Sequence, residues 1–168
     1  MQVILSEAEL EQCKNAAARR TNYARSNNIK NQRVDKSKSD NDVDYIGMVG
    51  ELAVAKALGL EMDFEKVGVD YGIDFNYNNY TIDVKTRSYP RNDLVFKSNE
   101  LFKAEVAILA QFKQKNCVNI LGCMSRERFV KYAKPTNYKC LSASAKYIQP
   151  IEKLINNKKV EKVENEID

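Results

Sequence analysis

The sequence predicts one mixed α/β domain, because segments with a helical period alternate with segments that have a strand pattern. A capped helix opens the chain, a hairpin lies near its centre, and two apolar strands and a short helix follow. The length of 168 residues and the hydrophobic content of 43% suit a single domain with its own core. We therefore expect one domain over residues 1–155 and a charged tail over residues 156–168.

The amino-terminal part, residues 1–41, is expected to be a basic helix followed by a loop. Ser6 and Glu9 have the spacing of a capping box, and apolar or small residues then recur at a helical period. These features predict a helix from Glu7 to Arg25. The following Asn-rich segment up to residue 41 has no apolar period, which predicts a loop.

The core is expected over residues 43–155 and begins with a second helix, from Val43 to Leu58. An apolar stripe follows one side of this helix, and Gly59 is a typical stop signal. Further elements are predicted in order along the chain: a hairpin over 72–87, strands over 106–112 and 118–124, a helix over 126–133 capped by Ser125, an edge strand over 137–141 and a short helix over 150–155.

The composition excludes several classes of function. The chain has no histidine, which removes Ser-His-Asp and Cys-His triads and the common zinc sites. Carboxylates and Lys remain available for catalysis, and carboxylates suit hard cations such as Mg²⁺. The four cysteines have no CxxC spacing, and no signal peptide or membrane span is recognisable. We expect free thiols in a cytoplasmic protein that does not contact a membrane.

Positive charge is concentrated near the amino terminus. Residues 14–38 contain eight Lys or Arg and one Asp, a net charge of +7, so the remainder of the chain carries −3. This distribution predicts a polyanionic partner, most simply nucleic acid; the alternative is a solvated helix face that runs into a loop. The predicted nucleic-acid contacts are Arg19, Arg20, Arg25, Lys30 and Arg33, together with Arg87 on the hairpin.

The hairpin has a register that follows from its turn. If Asn78 and Asn79 form a two-residue turn, Tyr77 faces Tyr80, and the pairing continues until Asp74 faces Asp83. One face of the hairpin is then apolar and the other polar, which a shift of one residue would destroy. The apolar face holds Ile73, Phe75, Tyr77, Tyr80, Ile82 and Val84, and the polar face holds Asp74, Asn76, Thr81, Asp83, Lys85 and Arg87.

Two facing carboxylates on the polar face indicate a metal site. Like charges directly opposite each other destabilise a sheet, whereas a divalent cation between Asp74 and Asp83 would turn repulsion into ligation. Lys85 lies on the same face and is expected to reach the same site. The alternative is an exposed polar face on which Lys85 offsets the two acids, but this does not explain why the acids are paired.

Glu51 adds a third carboxylate, from the second helix. It lies among small and apolar residues, where a Glu is costly to bury without a partner. The small residues nearby, Gly47 and Gly50, would let the helix approach the sheet and bring Glu51 towards the Asp pair. The alternative is a Glu that faces water at the edge of the apolar stripe.

These residues together resemble the PD-(D/E)XK nuclease superfamily, which has a restriction-endonuclease-like core. The resemblance covers about residues 44–124 and rests on Gly50-Glu51 in a helix, Gly72-Ile73-Asp74, and Ile82-Asp83-Val84-Lys85. The strand-to-helix junction at Leu121-Gly122-Cys123-Met124-Ser125 is similar to that of small phage and prokaryotic members. Ile73 stands where the family pattern has Pro, and Asp83 where Glu is often found.

The resemblance implies hydrolysis of phosphodiester bonds in DNA with Mg²⁺, for which Mn²⁺ would substitute. Asp74, Asp83 and the Val84 carbonyl would bind the metal, with Glu51 as a direct or water-mediated ligand. Lys85 would position the attacking water and stabilise charge on the phosphate. The catalytic set is therefore Glu51, Asp74, Asp83 and Lys85.

Three other functions remain open at this stage. A Holliday-junction resolvase on the same fold would require a homodimer. A non-catalytic nucleic-acid-binding protein would use the fold without its chemistry, although the intact set of four residues argues against that. A metal-independent interaction or inhibitor protein would use the acidic hairpin as its docking surface.

Overall fold

The computed structural model describes residues 1–29, 37–67 and 71–156. The predicted tail beyond residue 156 and part of the predicted loop lie outside these ranges. The helices are α1 (Glu7–Ser26), α2 (Asp40–Leu58), α3 (Arg126–Tyr132) and α4 (Glu152–Ile155). The strands are β1 (Gln2–Ile4), β2 (Phe75–Tyr77), β3 (Tyr80–Ser88), β4 (Leu94–Phe96), β5 (Val106–Gln114), β6 (Cys117–Ser125), β7 (Lys134–Pro135) and β8 (Leu141–Ala143).

The main sheet has five strands in the order β1-β6-β5-β3-β2. The β3–β5 pair is parallel and the other pairs are antiparallel, so the sheet is mixed. A second sheet has the order β4-β8-β7. The predicted mixed α/β class is therefore confirmed.

Two helices cover one face of the main sheet. α1 begins with the predicted capping box, in which Ser6 accepts from the Glu9 amide and Glu9 accepts from the Ser6 amide. Its buried side packs on α2, and α2 packs in turn on β3 and β5. Apolar residues from these elements form one hydrophobic cluster with Ile82, Val84 and Ile108. This cluster holds α2 close to the centre of the sheet.

A second hydrophobic cluster covers the opposite face of the main sheet. Phe96 stacks on Phe102 with ring centroids 4.3 Å apart, and Phe129 packs against both with its ring edge. Leu109 of β5 and Met124 of β6 contribute from the sheet. The sheet is therefore buried on both faces. The hairpin face that the sequence predicts as polar lies on this side and is covered.

The predicted register is confirmed at three pairs, Tyr77–Tyr80, Asn76–Thr81 and Phe75–Ile82. Asn78 and Asn79 both have positive φ, 48° and 65°, as the turn requires. The ladder ends at Phe75, so direct pairing of Asp74 with Asp83 is wrong. Ile73 turns away from the predicted apolar face and packs against the second cluster.

Three other expectations need correction. α2 begins three residues earlier than predicted, because Ser39 and Asp42 form a capping box ahead of the apolar stripe. The edge strand predicted over 137–141 is a turn, closed by a hydrogen bond from Thr136 N–H to the Cys140 carbonyl, and β8 begins only at Leu141. β1 and β4 were not predicted, since strands of three residues are too short to show a period.

The four cysteines are free, and Cys13, Cys123 and Cys140 are buried. Within the described ranges, none of the helices has both the length and the apolar character needed to cross a membrane.

Candidate active site

Close contact between α2 and β3 determines where the site lies. A Cβ added to Gly50 would overlap Oγ1 of Thr86 and lie 2.8 Å from its Cβ, so only glycine allows the helix this near. Thr86 is in β3, three residues after Asp83. The expectation that small residues bring α2 onto the sheet is confirmed at Gly50.

Asp74 lies at the edge of the main sheet, just before β2. Its N–H donates to the Ile82 carbonyl over 2.8 Å, and its Oδ2 accepts the Val84 N–H over 2.7 Å. The Asp74 carboxylate thus accepts the hydrogen bond that a backbone carbonyl would have accepted if β2 extended further along β3. Because the N–H and C=O of one strand residue point to the same side, the Val84 carbonyl also points to this edge.

Asp83 is the one charged residue that is buried in the described ranges, with 1% of its surface exposed. Lys85 Nζ donates to its Oδ1 over 2.5 Å, and the same ammonium lies 5.0 Å from the centre of the Phe96 ring. The Lys85 side chain is 35% exposed. One end of this ion pair is therefore in the protein interior, and the other is accessible to a ligand.

Glu51 is held by α1. Arg20 donates from Nη1 and Nη2 to the two carboxylate oxygens of Glu51, over 3.1 and 3.2 Å. The Arg20 side chain is 22% exposed and that of Glu51 is 12% exposed, so the pair is largely shielded from water. Gly47, one turn before Glu51, leaves space beside its carboxylate. Burial, and next the charge of Glu51, raises the pKa of the nearby Cys13 thiol to about 12.

The three carboxylates interact at the sheet edge although they come from different elements. Burial, followed by the negative charges of Glu51 and Asp83, raises the pKa of Asp74 well above its usual range. The Val84 N–H and the Lys85 ammonium act in the opposite direction. Glu51 approaches with α2 over one face of the sheet, whereas Asp83 and Lys85 lie on the other face. Their charges act together on Asp74, which lies just before the first residue of β2.

The donor atoms of this set are oxygens, which suit a hard cation. Carboxylate and carbonyl oxygens are the ligands that Mg²⁺ prefers, and mutual repulsion among the three acids is what a divalent cation would relieve. In the described part of the chain, no three Cys, Asp or Glu side chains converge closely enough to hold a metal ion. Glu51 instead forms an ion pair with Arg20, and Asp83 forms one with Lys85. The chemistry of the donors fits Mg²⁺, and the arrangement is that of separately paired acids.

The predicted nucleic-acid contacts are divided among several places. Arg19 donates to the Phe64 carbonyl and to Glu65, both over 3.0 Å, and Arg20 is on Glu51. Arg87 pairs with Asp93 over 3.1 Å. Arg25, in the last turn of α1, is exposed. Lys30 and Arg33 lie outside the described residues.

Three residues of this region were missed by the sequence reasoning. The sequence predicts a nucleic-acid contact for Arg20, and it does not indicate that Arg20 pairs with Glu51. It also does not indicate that Phe96 lies beneath Lys85 or that Thr86 contacts Gly50. Each of these contacts joins residues at least 11 positions apart on different elements, so no local pattern marks them. A Gly next to the predicted catalytic Glu was the one available signal, and it pointed to the close contact correctly.

The fold and this site together define a mixed α/β protein with an acidic site and one lysine at an open sheet edge. Comparison with models of protein families finds no match, and comparison with curated protein sequences finds none either.

Proposed function

We propose that the protein is a Mg²⁺-dependent nuclease of the PD-(D/E)XK superfamily that hydrolyses phosphodiester bonds in DNA. One observation carries the proposal. The charges of Glu51 and Asp83 raise the pKa of Asp74 and the Lys85 ammonium lowers it, so these four residues of a helix and a hairpin lie within electrostatic reach of one another. Repulsion among the acids and the partly exposed Lys85 would not be expected of an edge that serves stability alone.

The fold agrees with this assignment in its order of elements. A restriction-endonuclease-like core is expected to place a helix with Glu before a hairpin, and α2, β2 and β3 occur in that order. The parallel β3–β5 pair puts Asp83 and Lys85 in the interior of the sheet, beside an edge strand only three residues long. These features support the restriction-endonuclease-like fold as part of the proposal.

The residues have distinct roles in this proposal. Asp74, Asp83 and the Val84 carbonyl would hold Mg²⁺, with Glu51 directly or through water. When bound, Mg²⁺ lowers the pKa of its water and neutralises phosphoryl charge. Lys85 has its ammonium between Asp83 and solvent, from where it would position the attacking water and the phosphate. Arg20 holds Glu51 in place and offsets its charge.

A second candidate is a non-catalytic nucleic-acid-binding protein on the same fold. The favouring observation is that Glu51 and Asp83 each have a cationic partner within the protein. A Holliday-junction resolvase is a narrower form of the first proposal and would in addition require a homodimer.

The test is a cleavage panel with plasmid, linear duplex, single-stranded and four-way-junction DNA, and with RNA, in Mg²⁺, Mn²⁺ or EDTA. We expect cleavage of DNA with either metal and none with EDTA. Asp83→Asn should be inactive. Asp44→Asn serves as a matched control, because Asp44 is a partly buried carboxylate that accepts a hydrogen bond from Thr21 outside the site. Metal-independent cleavage, or equal loss of activity in both variants, would contradict the proposal, and binding without cleavage would favour the second candidate.

A further inference from the structure

A second basic region lies near the carboxyl-terminal side of the chain. Residues 126–147 contain six Lys or Arg and one Glu, a net charge of +5, and three Tyr are interleaved with them. We call this region the α3–β8 basic surface. Its cations are Arg126, Arg128, Lys131, Lys134, Lys139 and Lys146.

A pair of stacked tyrosines organises the centre of the α3–β8 basic surface. Tyr132 at the end of α3 and Tyr147 after β8 stack with ring centroids 4.3 Å apart, and their ring planes are nearly parallel, at 11°. Lys131 and Arg128 lie 5.1 and 5.2 Å from the centre of the Tyr132 ring. Lys146 lies 4.8 Å from the centre of the Tyr147 ring. Three positive charges are thus gathered around one aromatic pair.

The way in which these cations are held leaves their charge uncompensated. Ring faces attract a cation without neutralising it, and Arg128 Nε donates to the uncharged Tyr147 carbonyl over 2.8 Å. Within residues 1–29, 37–67 and 71–156, no carboxylate lies within ion-pair distance of the six cations. Arg19, Arg20 and Arg87, by contrast, are all paired with acids.

The α3–β8 basic surface lies on the same side of the main sheet as Lys85. Phe96, beneath Lys85, is in β4, and β4 pairs with β8. Ser142 of β8 donates to Asp93, which also pairs with Arg87 of β3. The second sheet therefore connects the basic surface to the strand that carries Asp83 and Lys85.

We infer that the α3–β8 basic surface binds the phosphodiester backbone of DNA, and this inference rests on the proposed nuclease function. Exposed cations without acidic partners make salt-sensitive, sequence-independent contacts with phosphates. Such contacts would hold DNA on the side of the sheet from which Lys85 is accessible. The amino-terminal arginines that are paired within the fold have a structural role instead.

The experiment compares two triple variants with equal changes in charge. Lys131, Lys134 and Lys146 are all exposed, and each is replaced by Gln in the first variant. In the control variant, Gln replaces Lys66, Lys113 and Lys115, which are also exposed; the last two lie at the opposite end of β6. Binding to a labelled DNA duplex is followed by fluorescence anisotropy in EDTA, which prevents metal-dependent cleavage, between 50 and 200 mM salt. An RNA duplex of the same sequence is a parallel arm.

We expect at least tenfold weaker DNA binding in the first variant and near-wild-type binding in the control. The slope of log K against log salt should flatten by roughly 2.7, since each neutralised phosphate contributes about 0.9.

Equal binding by both variants would overturn the inference while leaving the nuclease proposal intact. A loss of affinity for RNA alone would also overturn it. Absence of cleavage with Mg²⁺, together with surface-dependent binding, would refute the nuclease proposal and support this inference. Circular dichroism and thermal melting verify that both variants fold.

Discussion

Asp83 and Lys85 form an ion pair with one partner in the interior and the other at the surface. Burial of an unpaired carboxylate at this position would cost desolvation free energy. The ion pair with Lys85 offsets that cost. Lys85 is itself supported by the Phe96 ring and by access to water. If another cation bound to Asp83, the displaced Lys85 ammonium would therefore still be in contact with water.

Replacement of Asp83 by Asn should abolish cleavage and leave the protein folded. The change removes a buried charge together with its repulsion of Asp74, and Lys85 remains partly solvated, so we expect the free energy of unfolding to change by less than about 1.5 kcal/mol. Urea denaturation and the cleavage assay measure the two effects. An unfolded Asp83→Asn protein, or one that cleaves normally, would contradict the assignment of Asp83 to the metal.

Replacement of Lys85 by Met should lower turnover by about 10²-fold or more and preserve metal binding. Met keeps the contact with Phe96 and removes only the ammonium, which is not a metal ligand. Titration calorimetry with Mn²⁺ should still detect binding, and it should strengthen, because a competing positive charge has left Asp83. Lost metal binding with normal turnover would invert the role we propose. Lys103→Met, at an exposed lysine, is the control for the change of residue type.

At the scale of elements, Glu9 connects α1, α2 and β1. It caps α1 through the Ser6 amide, and it accepts from Lys56 of α2 over 2.9 and 3.0 Å. Lys56 also donates to the Ile4 carbonyl over 3.3 Å. The Ser6 amide, and next the Lys56 ammonium, lowers the pKa of Glu9.

The stabilising effect of Glu9 should depend on pH. Because its pKa is lower in the folded state than in the unfolded state, the stabilisation is complete above the usual Glu range and is lost as the pH falls through the folded value. Glu9→Gln should therefore reduce the free energy of unfolding by about 0.5–1 kcal/mol at pH 7 and have a smaller effect in acid. Glu7→Gln, at an exposed position in the same first turn, is the matched control for the change of residue type. A Glu9→Gln effect that is equal at pH 7 and pH 3 would contradict the prediction.

The contact between α2 and β3 should be sensitive to a single methyl group. Gly50→Ala would force Thr86 or α2 to move, and we expect a loss of about 1–3 kcal/mol in stability and a strong loss of activity, because Glu51 would be displaced. Thr86→Ala should restore part of both, since it removes the atoms nearest the added methyl.

Gly59→Ala is the matched control for this helix. Gly59 has φ of 68° and no atom within 4 Å of its added Cβ, so the change should cost about 1–2 kcal/mol in backbone conformation. The site is not involved, and activity should stay near that of the wild type. Equal activity in the Gly50 and Gly59 variants would mean that the position of Glu51 is unimportant.

At the scale of the whole molecule, a bound metal should stabilise the fold. A ligand at 100 times its Kd adds about 2.7 kcal/mol, and for a domain of this size about 2–4 °C in Tm accompanies each kcal/mol. We therefore expect saturating Mg²⁺ or Mn²⁺ to raise the Tm by about 5–10 °C in the wild type and much less in Asp83→Asn. An equal rise in both proteins would locate the bound metal elsewhere.

The fold could be predicted from the sequence wherever local chemistry determines it. The capping box at Ser6, the Asn78-Asn79 turn and the spacing of Asp83 and Lys85 all depend on contacts within a few residues. The structure confirms the capping box and the turn, and it places Asp83 and Lys85 in contact. The second sheet could not be predicted, because its strands are too short to show alternation. The covering of the face that carries Asp83 could not be predicted either, because Phe96, Phe102 and Phe129 reach this side of the sheet from other parts of the chain.

The membership of the candidate site stays a prediction from the sequence, and the ion pairs that its residues form could not be predicted. The meeting of Glu51 with Arg20 depends on how α1 packs on α2, which the periods of the two helices do not specify. The position of Asp74 depends on the end of the β2 ladder at Phe75, where a side-chain acceptor replaces a strand carbonyl. Both features arise from tertiary packing, which overrides the pattern of a single element.

The main sheet is covered on both faces, and Glu51 reaches its edge over one face while Lys85 stands on the other. The hairpin can form early, since its contacts are local, but β3 and β5 pair across about 24 residues of chain, and each covering layer must dock separately. If the protein is the nuclease that we propose, this order would protect nucleic acid during biosynthesis. A partly folded chain would have either Glu51 or Lys85 in place, but not both. Hydrolytic activity would therefore begin only after both covering layers have docked, and nascent chains would not damage the nucleic acid around them.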